Sequence, residues 1–221
     1  MRALLKKNKM HPLFASLTEA ELSEALSLLH AMEKSYRKGE CIRMAGECFY
    51  TFGLVLSGRI EVYMEDFDGG RMMMAGVGEG DSFGESLAYL HTVESPVVIF
   101  AAEESRVLWL DAAFFKQSAS SYTAPLSLLL RERFVSLLAK RALMQNERIQ
   151  ILSKAGLRDR LVTFFSQCEH RHKSKTFRVP FDRAALAVYL GVNRTALSRE
   201  LSRMREEGII DFYKDSFRLL R

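Results

Sequence analysis

The sequence predicts an α+β protein of three successive parts: a β-roll of jelly-roll type, a long helix and a winged helix-turn-helix. Three observations carry this prediction. Apolar and polar residues alternate between positions 32 and 109, an apolar residue recurs every seven positions from 130 to 151, and residues 182–207 predict two short helices joined by a tight turn. We place the boundaries of the three parts at 1–122, 123–155 and 156–221.

The first part begins with a predicted helix and continues with short strands. Residues 12–32 give the helix an apolar face, and Ser16 or Thr18 is positioned to cap it. Turn residues then arrive at short intervals, and Asp68-Gly69-Gly70 is a strong hairpin signal. The predicted strands lie near 33–37, 41–45, 49–56, 59–66, 71–77, 96–101 and 105–110. Many short strands at this spacing favour a barrel, a jelly roll or a β-roll.

A short helix capped by Asp111 precedes a long helix from about Ala124 to Lys154. A helix of about 30 residues spans roughly 45 Å, which is too long to bury both ends against one small barrel. Its apolar stripe therefore predicts a partner helix from a second subunit, although Arg141 and Arg148 interrupt the alternate core positions. The residues predicted to form this homodimer interface are Leu130, Phe134, Leu137, Met144 and Ile151.

The third part holds the pattern of a helix-turn-helix. Asp182 caps the first helix, Gly191 supplies the turn, and Asn193 caps a second helix that buries one apolar stripe. The opposite face offers arginines and hydroxyls, which suits the DNA major groove, whereas the alternative is an ordinary helical hairpin with a solvated basic face. We therefore predict double-stranded DNA as a partner. The residues predicted to contact it are Asn193, Arg194, Thr195, Ser198, Arg199 and Ser202.

Shorter elements surround this motif. A helix is predicted from Leu157 to Cys168, followed by a polar loop at 169–175 and a short strand at 176–179. Residues 209–212 and 217–220 flank the turn Tyr213-Lys214-Asp215-Ser216 and predict a β-hairpin. This hairpin stands where winged helices carry their wing.

Charge is distributed unevenly along the chain. Residues 1–122 hold 12 Lys+Arg against 17 Asp+Glu, whereas residues 123–221 hold 20 against 10. The rear part would attract phosphate, and it is the part that carries the helix-turn-helix. Three cysteines without a CxxC pair, and the lack of a signal peptide or of an apolar run long enough for a membrane span, predict a soluble cytoplasmic protein with reduced thiols.

Several ordered motifs resemble one known family. They are HPLFASLTEAE at 11–21, KGE at 38–40, AGE at 45–47, LVLSGRIEVY at 54–63, GEGDSFGESLAYL at 78–90 and YLGVNRTALSRELSRMREEGII at 189–210. Together they are similar to the Crp/Fnr superfamily, that of the cyclic-AMP receptor protein and the fumarate-nitrate reduction regulator. The resemblance implies a bacterial transcription regulator with a cyclic-nucleotide-binding-like β-roll, paired long helices and DNA reading by the second helix. RNA polymerase is a further candidate partner.

The resemblance also implies a small-molecule effector site. The residues expected there are Phe83, Gly84, Glu85 and Ser86 of the cassette at 78–90, with Gln145 and Asn146 facing them from the long helix. Cyclic-nucleotide binders of the family place an arginine about ten residues after the cassette glutamate, and here Ser95-Pro96 stands at that spacing. Because the cyclic phosphate would meet no local guanidinium, we do not expect cyclic AMP to be the effector, which stays unidentified.

Departures and alternatives remain at this point. Thr195 stands where the two best-known branches carry a cytosine-reading glutamate, so a half-site different from theirs is expected, and Arg194 is either a base reader or a phosphate clamp. Cys41 and Cys48 are either small core residues or redox thiols, and His91 is either a haem ligand or a solvent-facing residue. No metal site, no assured cofactor and no catalytic residue is predicted. Two alternatives from other classes are a cupin-type enzyme and a ligand-binding interaction module that does not bind DNA.

Overall fold

The computed structural model describes residues 11–65, 71–91, 94–117, 124–179 and 181–220. The chain forms two compact units, Met1–Lys140 and Arg141–Arg221. Their border falls inside the long helix, whereas the predicted boundaries give residues 123–155 a segment of their own. Six helices are described. They are α1 Glu19–Leu28, α2 Glu85–Leu90, α3 Pro125–Leu152, α4 Leu157–His172, α5 Arg183–Tyr189 and α6 Arg194–Glu206.

The first unit contains two four-stranded antiparallel sheets, which confirms the predicted jelly roll. Their strand orders are β1-β8-β3-β6 and β2-β7-β4-β5. The strands are β1 Met32–Tyr36, β2 Cys41–Arg43, β3 Thr51–Ser57, β4 Arg59–Glu65, β5 Arg71–Gly78, β6 Ser82–Phe83, β7 Val97–Ala101 and β8 Ser105–Asp111. All seven predicted strands have a counterpart, and β6 was not predicted. The hairpin residues 68–70 lie outside the described residues, but β4 and β5 on either side of them pair Glu65 with Arg71.

The single helix predicted over residues 12–32 is wrong in its extent. A 3-10 turn at Pro12–Phe14 is followed by Ser16, whose φ of 59° breaks any continuous helix. Thr18 caps α1 through a capping box with Glu21, and His30, with φ of 43°, follows the end of the helix before β1 starts. The predicted short helix after Asp111 is a 3-10 turn at Ala113–Lys116, and the Ala113 N–H donates to Asp111 over 2.7 Å.

Helix α3 supplies side chains to the cores of both units. Phe134 is buried in the first unit, where its ring stacks on that of Phe115 with centroids 3.9 Å apart. Leu130 and Leu137 are buried in the same unit, and Ile151 is buried in the second one. This burial corrects the predicted dimer interface, because four of its five residues pack inside their own chain. Met144 is the exception and is 61% exposed.

The second unit combines α4, α5 and α6 with a three-stranded antiparallel sheet. The strands β9 Thr176–Arg178, β10 Ile210–Tyr213 and β11 Ser216–Leu219 run in the order β10-β11-β9. Helix α4 continues four residues past the predicted end at Cys168, so the predicted loop is half helical. Basic residues in its last turn suit the helix C-terminus, and Arg171 pairs with Glu147 of α3. None of the helices in the described parts of the chain is both long enough and apolar enough to span a membrane.

Candidate nucleic-acid interface and effector cassette

The helix-turn-helix is fixed by two side-chain caps and a glycine. The Asp182 carboxylate accepts a hydrogen bond from the Ala185 N–H, and the Asn193 amide oxygen accepts one from the Ala196 N–H, each over 2.7 Å. Gly191 between the helices has φ of 66°, a conformation that glycine adopts at low cost. Leu197, Leu201 and Met204 are fully buried beneath α6. The buried stripe therefore determines which face of α6 meets solvent.

That outer face carries all six residues predicted to contact DNA. Every one of them is exposed, and they extend from the cap of α6 over its first two and a half turns. The structure thus brings Asn193, Arg194, Thr195, Ser198, Arg199 and Ser202 together on one accessible surface, which we call the reading face. An exposed helix N-terminus with arginines and hydroxyls has the donors that a major groove requires.

Ion pairing separates the arginines of this unit into two groups. Arg158 lies 2.9 Å from Glu200 and 2.6 Å from Glu207, and Arg205 lies 3.1 Å from Asp211. Within the described residues, neither Arg194 nor Arg199 forms an ion pair. The paired arginines stabilise the domain, whereas the unpaired guanidinium groups on the reading face keep their donors for a ligand.

Two cationic residues at or near the wing, Arg183 and Lys214, were not predicted from the sequence to belong to the interface. Arg183, at the start of α5, packs against the rings of Phe212 and Phe217, with its guanidinium carbon 5.0 and 5.6 Å from their centroids. Burial, and secondarily the nearby charge of Arg194, lowers the pKa of Arg183. Lys214 lies in the two-residue wing turn with φ of 55°. The sequence did hold a signal for Arg183, because this residue directly follows the predicted helix cap Asp182. A residue at that position opens α5, and its side chain lies beside the wing turn at Lys214.

The effector cassette is built differently, because two of its predicted residues, Phe83 and Glu85, belong to the core. Phe83 is buried edge-on against Trp109, with ring centroids 5.5 Å apart. Gly84 has φ of 80°, and a Cβ on it would lie 3.1 Å from the Phe49 ring. Gly84 thus lets the chain turn into α2 beneath that ring.

Glu85 is buried inside a chain of polar contacts. The Ser82 hydroxyl donates a short hydrogen bond to the Glu85 carboxylate, and His11 Nε2 lies 2.8 Å from the Ser82 oxygen. The Leu13 N–H donates to His11 Nδ1, so Nε2 is the nitrogen that carries the donor proton. The carboxylate predicted to anchor an effector is therefore already engaged by its own chain.

The remaining predicted effector residues are exposed. Ser86 faces solvent on α2, and Gln145 and Asn146 are exposed on α3 in the second unit. Their common site with the cassette stays a prediction. Ser95, which stands at the family's arginine position, is buried, and its hydroxyl donates to the Val97 carbonyl over 3.1 Å. The described β-roll thus offers no guanidinium at this position.

The candidate sensing residues lie at or near the protein surface. Cys41 is exposed rather than a core residue, and Cys48 is half-buried. His91 is exposed and lies against the Lys116 amine. Throughout the described ranges, no group of three or more His, Cys, Asp or Glu side chains is placed to hold a metal ion.

Each of the two units contains a segment that matches a known protein family. Residues 33–122 match the family described as Cyclic nucleotide-binding domain, and residues 159–221 match the Crp-like helix-turn-helix domain. The Cyclic AMP receptor protein of Thermus thermophilus is 26% identical over 202 residues, which are 91% of this chain and 89% of that protein. Electron transport regulator A of Shewanella oneidensis is 26% identical over 184 residues, which are 81% of this chain and 71% of the relative.

A solved structure shares the fold over nearly the same span. A CooA mutant from Carboxydothermus hydrogenoformans superimposes with a TM-score of 0.64 at 21% identity, covering 93% of this chain and 94% of that one. The two family matches together take in more than half of the sequence, in the order seen in the structure. The chain belongs to the Crp/Fnr family, whose members are DNA-binding transcription regulators and not enzymes.

Proposed function

We propose that this protein binds near-palindromic promoter DNA as a homodimer and responds to a small effector other than cyclic AMP. The observation that carries the proposal is the reading face, on which Arg194 and Arg199 are exposed and form no ion pair within the described residues. Two such faces in a dimer would meet two half-sites about one helical turn apart. RNA polymerase stays a candidate partner in this proposal.

Arg199 is the preferred base reader. An arginine fork meets O6 and N7 of guanine together, and Arg199 lies in the second turn of α6, within reach of base edges. Arg194 opens the helix beside Asn193, where a phosphate contact is an equally good use of its charge. Thr195 cannot read cytosine as a carboxylate does, so we expect a half-site distinct from those of the best-known branches.

Selection from random duplex DNA tests this part of the proposal. The full chain should enrich an inverted repeat, and its affinity should fall steeply with salt because phosphate contacts release counterions. Recovery of no discrete sequence, or of a single unrepeated half-site, would contradict the proposed dimeric reading. An interaction module without DNA binding would show neither enrichment nor a salt dependence.

The dimer interface is reassigned to another face of α3. Leu128, Val135, Ala142 and Ile149 are all exposed and recur every seven residues. We call this set the outer stripe. It is offset by two positions, or roughly 200° around the helix, from the predicted stripe, of which the chain buries every residue except Met144 in its own cores. An exposed apolar heptad of this kind favours pairing with a second copy of the helix.

The effector is proposed to differ from cyclic AMP because of two positions. Ser95 supplies a hydroxyl that the chain itself uses, and the Glu85 carboxylate is engaged by Ser82. The Thermus relative is named for cyclic AMP, but a cyclic phosphate needs a cation that this cassette lacks at the family position. Cyclic AMP should therefore leave the melting temperature of the protein unchanged, whereas a true effector must raise it. A saturable shift at micromolar cyclic AMP would refute this assignment.

A further inference from the structure

A cleft of about 880 Å³ opens in the second unit, between strand β9, the start of α5 and the turn of the wing. Its floor is apolar and consists of the buried side chains Val179, Leu186 and Phe217. Its rim carries the cationic residues Arg171, Arg178, Arg183 and Lys214, together with His172. The volume is in the range of small-molecule sites, roughly 300–1,000 Å³.

Two acidic residues also line the cleft, and both are engaged by the protein. Asp182 caps α5 through the Ala185 N–H, and Asp215 accepts a hydrogen bond from Arg178 over 2.6 Å. Arg171 is paired with Glu147. The pKa of Asp215 is lowered chiefly by its hydrogen bond from Arg178 and in smaller part by the charge of Lys214, so Lys214 already has an acidic neighbour. Arg183 forms no ion pair in the described part of the chain. Among the described residues, the cleft therefore keeps one cationic group, Arg183, that no carboxylate neutralises.

Arg183 is the group best placed to meet a ligand. Its guanidinium is half-buried against Phe212 and Phe217, and the one hydrogen bond it donates within the described residues goes to the Lys214 carbonyl over 3.2 Å. A guanidinium has five N–H donors, so most of them are left for a partner. Burial of a cation beside Arg194 is costly, and an anion at this point would offset that cost.

We propose that this cleft is a second ligand site, which takes an amphipathic anion. An aromatic or aliphatic body would lie on the apolar floor, and a carboxylate, sulfonate or phosphate group would accept hydrogen bonds from Arg183. The site lies outside both the β-roll cassette and the reading face. Arg183 opens α5, the first helix of the helix-turn-helix, and its charge acts on Arg194 of the reading face. An anion bound to Arg183 therefore also adds negative charge near that face and opposes DNA binding.

Fluorescence titration of the full chain with anilinonaphthalene sulfonate, an aromatic sulfonate, tests the site. Arg183→Gln should weaken binding of this probe about tenfold, the effect of losing one charge-assisted hydrogen bond. Lys214→Gln should weaken it about threefold through the loss of charge alone, and it changes a turn residue whose side chain is exposed. Arg218→Gln is the matched control, since Arg218 is exposed on the same sheet and is not part of the cleft lining. Melting temperatures verify that each variant is folded.

Equal probe affinity in all four proteins would overturn the site, and so would equal weakening by Arg218→Gln. The second readout is displacement of selected operator DNA by saturating probe, and this readout alone rests on the proposed DNA function. Displacement from the native protein but not from Arg183→Gln supports the coupling. If Arg183→Gln weakens DNA binding while probe affinity is unchanged, the cleft serves only a backbone phosphate and the proposal fails.

Discussion

The reading face of α6 is exposed to solvent, whereas the effector cassette at residues 78–90 buries two of the side chains expected to bind an effector. All six residues of the reading face are exposed, and its two arginines form no ion pair within the described residues. In the cassette, Phe83 and Glu85 are only 4% and 3% exposed. A sequence motif typical of ligand recognition can thus be present while its side chains are buried in the core. The exposure of the side chains shows which of the two motifs is accessible to a ligand.

The largest expected effect on DNA affinity comes from disrupting the proposed dimer, because a monomer holds only one of the two reading faces. Val135→Glu with Ile149→Glu places two carboxylates per subunit in the outer stripe, where both side chains are exposed in the single chain. We expect a folded monomer and a loss of DNA affinity of about 10²–10⁴, the contribution of a linked second half-site. Light scattering and DNA titration measure the two quantities.

Met144→Glu is the control for this double variant. Met144 is exposed but stands two positions after Ala142, on a different side of α3. This variant should stay dimeric. Dissociation by Met144→Glu, with a dimer surviving in the double variant, would restore the interface predicted from the sequence.

The next effect tests the reading face alone. Arg199→Ala removes an exposed, unpaired guanidinium, so binding should weaken by about 1–3 kcal/mol and preference should relax at one base pair per half-site. Arg205→Ala is the matched control, because Arg205 pairs with Asp211 and lies outside the reading face. Selection experiments on both variants measure the change. Uniform weakening on all sequences would identify Arg199 as a phosphate contact instead.

The cassette should respond in stability rather than in binding. Glu85→Ala removes the buried acceptor of the Ser82 hydroxyl and should lower the free energy of unfolding by about 1–3 kcal/mol. Ser86→Ala, one residue later and exposed, should change it by no more than about 0.5 kcal/mol. Urea titrations compare the two. Equal stabilities would mean that Glu85 is free to serve a ligand after all.

The smallest expected effect separates the cysteines of the two units. Burial raises the pKa of Cys168 to about 11 from a model-compound value of 9.0, so the folded state favours its neutral thiol. Its contribution to stability is intact below pH 9 and is lost as the pH rises toward 11. At pH 8, iodoacetamide should modify exposed Cys41 first and Cys168 only after unfolding, as measured by mass spectrometry of peptides. Early modification of Cys168 would show that the second unit opens readily.

The exposure of the reading face was predictable from the sequence because each of its determinants is local. Asn193 identifies the start of α6, and a period of 3.6 residues separates its buried stripe from its exposed face. The face of α3 proposed to pair with a second subunit was not predictable in the same way. Both the predicted stripe, which starts at Leu130, and the outer stripe, which starts at Leu128, recur every seven residues. Choosing between them requires knowing that Phe134 stacks on Phe115, which is a tertiary contact.

The other differences between the predicted and the observed structure also have physical causes. Strand β6 has two residues, too few for any alternation to appear, and its pairing with β3 depends on Gly53 leaving room for the Phe83 ring. Helix α4 extends through polar residues to His172 because the last turn gains from charge at the helix end and from Glu147. Ser82, which donates to Glu85, is itself in contact with His11, 71 positions away, and no local pattern indicates that contact.

The division of α3 between two cores has a consequence for amide hydrogen exchange. Residues 139–146 lie between the part of the helix anchored by Phe134 and the part anchored by Ile151, and all of them except Arg141 are exposed. Backbone amides there are protected by helical hydrogen bonds without side-chain burial, so they should open by local fluctuation. A second helix packed along the outer stripe would slow that opening. Exchange in this central segment is therefore a reporter of subunit association, readable at concentrations on either side of the dissociation constant.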